Sequence, residues 1–147
     1  MFGKLLSRLN GDTAAPLTDE DARLSMAALL VRVARSDGDY AESERDRILK
    51  ILSTRYALSP FDVSKLMGDA EALEKDAPDT VRFTRTIKET VAYEDRLGVI
   101  EALWSVALAD GERDNEEDAL LRMVANFLGV SDRDSNLARL RVDPSKA

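Results

Sequence analysis

The chain has 147 residues, 44% apolar and 33% charged, which is one domain by size and enough to bury a core without disulfides or a structural zinc. It contains no cysteine and no histidine, which excludes a disulfide framework, a thiolate nucleophile and imidazole catalysis and leaves only oxygen to hold a metal. A net charge of −7, with Lys and Arg dispersed among acids, argues against a nucleic-acid surface and points to cations or basic partners.

The opening MFGKLLSRLN lacks the continuous apolar stretch of a secretory signal, and no later run approaches a membrane span, so the sequence predicts a soluble, cytoplasmic protein. On a helix Phe2, Leu5, Leu6 and Leu9 share one face, with Lys4 and Arg8 elsewhere. The expected role is a short helix docking on its own domain, with a membrane surface as the alternative. In the linker that follows, Thr18 and Asp21 resemble a capping box opening a helix of about residues 19–36. Its Met26, Leu30 and Val33 keep the i, i+4, i+7 rhythm, and Gly38 supplies its stop.

A helix of about residues 42–56 comes next, then one of about 60–74 opened by Ser59 as cap and Pro60 in the first turn. Asp79 and Thr80 open another at about 79–91, carrying Val81, Phe83, Ile87 and Val91, and a further one covers about 94–109. Asp114 and Glu117 begin a helix near 115–128 that ends at Gly129, and Ser131 with Asp134 begins a last short one. No stretch alternates with a period of two, so the expected fold is all-α, a compact helical bundle of about seven to eight helices. The expected organisation is an N-terminal helix and linker at 1–17, a helical domain at 18–140 and a flexible tail at 141–147.

A shift of 73 residues aligns Leu30 with Leu103, Val33 with Val106, Asp37 with Asp110, Gly38 with Gly111, Asp39 with Glu112, Glu44 with Glu117 and Ile48 with Leu121. The repeated unit is helix, Asp-Gly turn, helix, at about 24–58 and 97–130, with bridging helices at about 60–92 that have no counterpart. Beyond the unit the copies slip by one residue, and Leu58-Ser59 matches Val130-Ser131. A pseudo-twofold arrangement of the two units is the natural expectation.

In each unit the first helix carries a core-facing stripe that ends in Asp37 or Asp110, and the second begins one at Glu44 or Glu117, continuing through Ile48 and Ile51 or Leu121, Val124 and Leu128. Carboxylates at the edge of an apolar core are costly unless paired, protonated or bound to a cation. If the units pack about a twofold axis, Asp37, Asp39, Glu44, Asp110, Glu112 and Glu117 converge into an all-oxygen site suited to Ca²⁺ or Mg²⁺. The structural alternative is turn formation and capping alone: Asp114 and Glu117 fit a capping box, whereas the matching Ala41 cannot cap and Glu44 is present nonetheless. A true EF-hand is excluded, because its first and third ligand positions would be Val33 and Arg35, or Val106 and Leu108.

The stretches ARSDGDYAESE and ALADGERDNEE, in an all-helical chain of this size, resemble the bacterial tellurite-resistance protein B (TerB-like) family, related to the N-terminal cytoplasmic part of membrane-anchored DnaJ-type co-chaperones. The resemblance covers about residues 20–130, with Ser36 in place of the usual Ala before the first Asp-Gly. It implies a helical bundle with internal pseudo-symmetry and an acidic cluster proposed to bind metal, which falls here on Asp37, Asp39, Glu44, Asp110, Glu112 and Glu117. It also implies stress-response systems that include membrane-associated and calcium-binding partners.

Three functions compete. The first is a non-enzymatic, cation-dependent interaction module of the stress-response kind, with protein partners and no organic cofactor. The second is a structural adaptor whose acids only cap, which exposed Phe61, Phe83 or Tyr93 would favour over a core placement. The third is an enzyme using the carboxylates as acid, base or metal ligands, with neither His, Cys nor a Gly-rich phosphate loop to assist. Trp104, aligned with Val31, is expected in the core.

Overall fold

The computed structural model describes residues 19–36, 40, 42–76, 80–108 and 115–142, with the backbone alone for Asp19 and for residues 115–117. These residues form seven helices: α1 (Asp19–Arg35), α2 (Glu42–Tyr56), α3 (Pro60–Asp76), α4 (Val81–Thr90), α5 (Tyr93–Ala107), α6 (Asn115–Phe127) and α7 (Asp132–Val142). There is no strand among them, and the fold is all-α. The expected N-terminal helix, the capping pair at Thr18, the stop at Gly38 and the end of the tail lie outside the described residues.

Two helices make the centre. In α1 every residue from Leu24 to Val31 is buried, so the middle of this helix is enclosed around its whole circumference rather than along one stripe. Accordingly α1 packs against α2, α3, α4, α5 and α6. Its alanines at positions 27, 28 and 34 keep the packing surface low, and Met26, Leu29, Leu30 and Val33 fill the space between neighbours. The second central helix, α5, buries Val99, Ile100, Leu103, Trp104 and Val106 and packs on α1, α2, α4, α6 and α7. Each large apolar side chain fully buried this way stabilises the fold by roughly 1.5–3 kcal/mol.

The outer helices contribute one face each. In α2 that face is Glu44, Ile48 and Leu52, with Ile51 only half-buried, so the inward stripe runs through Leu52 rather than Ile51. The face of α4 contains Phe83 and Ile87 together with buried Thr84 and Thr86, whose hydroxyls donate to the carbonyls of Val81 (2.8 Å) and Arg82 (3.1 Å) in the preceding turn. Such back-bonding allows a threonine to be buried without an outside partner.

Two helix-to-helix corners are closed in the same manner. After α2, Ala57 takes the left-handed conformation (φ 52°) and the Leu58 N–H donates to the Ser53 carbonyl at 3.1 Å. After α6, Gly129 does so (φ 74°), the Val130 N–H donates to the Ala125 carbonyl (2.8 Å) and the Gly129 N–H to that of Asn126 (3.1 Å). The bonding after α6 is a Schellman motif. At each corner a serine then caps the next helix: the Asp62 N–H donates to Ser59 Oγ and the Asp134 N–H to Ser131 Oγ, both at 3.1 Å. Thr80 differs from expectation, since its hydroxyl makes no cap bond and instead accepts from Arg32 Nη1 at 3.4 Å.

Candidate carboxylate site and its surroundings

Of the six candidate carboxylates, Glu44 is the one whose side chain is described. It is 1% exposed, in the first turn of α2, on the face that continues through Ile48 and Leu52. The free backbone N–H groups and positive dipole end of a helix favour a carboxylate there. Asp37, Asp39, Asp110 and Glu112 lie outside the described residues; Glu117 falls in α6, where the backbone alone is described. The stripes leading to and from them are buried as expected: Met26, Leu30 and Val33 in α1, Val99, Leu103 and Val106 in α5, Leu121 and Val124 in α6, with Leu128 just beyond. Among the described residues no group of three or more Asp or Glu side chains is placed to hold a metal ion.

The helices that flank the first Asp-Gly sequence carry a set of ion pairs to α3 that the sequence did not disclose. Before the turn, Arg35 Nε lies 3.1 Å from Glu74 Oε1, and Arg32 Nε lies 3.2 Å from Glu74 Oε2. Arg32 Nη2 also donates to the Glu74 carbonyl at 2.9 Å, and its guanidinium stacks over Phe83 at 5.2 Å. After the turn, Arg45 donates through Nε (3.2 Å) and Nη2 (3.4 Å) to the two oxygens of Glu71. Tyr40 lies between these pairs, with the Arg35 guanidinium 4.9 Å from its ring centre. Burial, then the Glu71 carboxylate beside the phenol, pushes the Tyr40 pKa well above the ordinary tyrosine value. The end of α1 and the start of α2 are thereby fastened to one face of α3, through Glu74 and Glu71.

Arg35, Tyr40 and Arg45 correspond under the 73-residue shift to Leu108, Arg113 and Asp118, so the second unit does not carry the residues that make this clamp. Around the second unit the supports differ. Trp104 is core, as expected, and its indole N–H donates to Ser135 Oγ at 3.1 Å, joining α5 to α7. A cavity of about 120 Å³ lined by Trp104, Asp118, Arg122 and Asp132 adjoins the first turns of α6 and α7. Arg96 Nη1 donates to the Leu128 carbonyl at 2.8 Å and Nε to that of Val91 at 3.1 Å, tying the start of α5 to the end of α6.

Seven helices, a net charge of −7 and a carboxylate buried at the start of α2 define an acidic, all-α helical-bundle protein. The family model for the tellurite resistance protein TerB matches residues 23–140, and the chain belongs to that family. No curated protein and no solved structure matches it. No helix among the described residues is long and apolar enough to cross a membrane.

Proposed function

We propose that the chain is a non-enzymatic, tellurite-resistance-type stress-response module that binds a hard divalent cation, Ca²⁺ or Mg²⁺, through Asp37, Asp39, Glu44, Asp110, Glu112 and Glu117, and engages protein partners through that acidic face. The observation that carries this reading is Glu44: a carboxylate with 1% exposure, next to a turn that brings two further aspartates in sequence. A buried carboxylate oxygen at the start of a helix is a fitting ligand for such a cation. All donors in the set are oxygens, which fits Ca²⁺ or Mg²⁺ and disfavours softer metals.

The test is calorimetric titration with Ca²⁺, Mg²⁺ and Mn²⁺ beside thermal melts, on the wild type and on Asp37→Asn/Asp110→Asn. Saturable binding that raises the melting temperature, and is lost in the double variant, is expected, because a ligand of the folded state alone must stabilise it. If the double variant is more stable than wild type and neither binds, the acids serve turn formation only. One observation favours the adaptor as second reading: Phe61 is 78% exposed on the first turn of α3, whereas Phe83 is core.

A further inference from the structure

We infer that the groove between the first turns of α1 and the outer face of α3 is the docking site of the chain's own N-terminal segment, residues 1–10. The groove is a cavity of about 270 Å³ floored by Leu24, Leu58 and Leu66. Its rim holds Glu20 from α1 and Asp62 and Asp69 from α3, against Arg23 and Lys65, with Asp21 buried beneath. Arg23 is turned toward α2, its guanidinium 4.8 Å from the ring centre of Tyr56, so the acids prevail at the mouth. The most exposed large apolar side chain among the described residues, Phe61, stands on the same turn of α3 as Asp62.

The segment has the complementary composition. Residues 1–10 contain Lys4 and Arg8 and no acid, an excess of two positive charges, and a helical arrangement puts Phe2, Leu5, Leu6 and Leu9 on one face. Connectivity favours this occupant over any other, because the segment joins the described chain at Asp19, one residue from Glu20 on the groove's rim. Residues 10–18 are nine residues including Gly11 and Pro16, a tether of up to about 30 Å when extended and far shorter when turned back. A tether of that length holds the segment at an effective concentration in the millimolar range, enough for a small apolar contact with charge complementarity to persist. A small-molecule ligand is a poorer occupant, since the cavity falls below the roughly 300–1,000 Å³ of such sites.

The absence of native cysteine makes the test direct. Leu6→Cys is combined with Leu66→Cys in the full chain, and with Thr54→Cys on the exposed side of α2 as the control pair. Closure is followed in a glutathione redox buffer by mass spectrometry. A disulfide needs Cα atoms within about 7 Å, so docking predicts closure of the 6–66 pair at least about tenfold more favourable than the 6–54 pair. Equal closure of both pairs, or disulfides formed only between molecules, would overturn the inference, the second result assigning the groove to another copy. As a measurement free of groove substitutions, Lys4→Glu/Arg8→Glu is expected to speed hydrogen exchange at Leu24 and Leu66 amides. Unchanged exchange there, with flotation of the wild type on anionic vesicles that the variant loses, would replace intramolecular docking by membrane attachment.

Discussion

Ala57 and Gly129 close equivalent corners with unequal means. A left-handed Ala is disfavoured by roughly 1–2 kcal/mol, while Gly gives back about 0.5–1 kcal/mol in the unfolded chain. Ala57→Gly should therefore raise stability by about 0.5 kcal/mol and Gly129→Ala lower it by about 1 kcal/mol, read as shifts of the urea midpoint at constant m value. A Cβ at Gly129 would meet only the Arg96 guanidinium at 3.6 Å, so the loss there is conformational. The three tyrosines, the full complement of the chain, make a second residue-scale case. Burial raises Tyr40 and Tyr56 above their ordinary pKa, and for Tyr93 the hydrogen bond to Asp134 Oδ2 (3.0 Å) is the first cause. A raised folded-state pKa gives stability that is intact below the unfolded value near pH 10 and is lost as pH rises through the folded one. The phenolate absorbance should accordingly stay low near pH 10 and appear in step with alkaline unfolding; ordinary titration at pH 10 in the folded protein would contradict the burial of Tyr40 and Tyr56.

At the scale of elements, the helices were legible because their ends are written in local chemistry: Ser59 and Ser131 cap, Gly129 stops, and each acts within a few residues of itself. Long-range partnerships were not legible. The periodicity of α1 showed a stripe, whereas the uninterrupted Leu24–Val31 stretch, free of charge, was the signal that this helix is surrounded. Likewise Thr80 reads as a cap until Arg32, 48 residues away, takes its hydroxyl. The clamp on the first turn is of this kind, since Arg32 and Glu74 are 42 residues apart. Its two acids are not equal. Glu74 is 11% exposed and receives two guanidiniums, one of them largely buried, so Glu74→Gln should cost about 1–3 kcal/mol. Glu71 pairs with an Arg45 that is 41% exposed, and Glu71→Gln should cost under about 1 kcal/mol after solvent screening. Chemical denaturation of both variants checks the order; an equal effect would mean that Glu74 is not the anchor.

For the whole molecule, the described helices gather around the central pair α1 and α5, with α3 and α4 between the two in sequence. The spacing put Glu44 at the head of an inward-facing stripe of α2, and Glu44 is buried there as expected. Whether the other five carboxylates join it depends on how the two turns meet, which no local pattern encodes. The residues Arg35, Tyr40 and Arg45 that pair with α3 have Leu108, Arg113 and Asp118 as their counterparts, so the second Asp-Gly sequence lacks this set of partners. The most direct measurement is the stoichiometry of Ca²⁺ binding, by calorimetry, for the wild type and for Asp37→Asn and Asp110→Asn singly. A shared site predicts one ion per chain and loss of binding by at least about tenfold in either single variant, since each removes a charged ligand of the same ion. Two ions per chain, each abolished by one substitution and untouched by the other, would contradict a shared site, and no binding at all would contradict the cation reading itself.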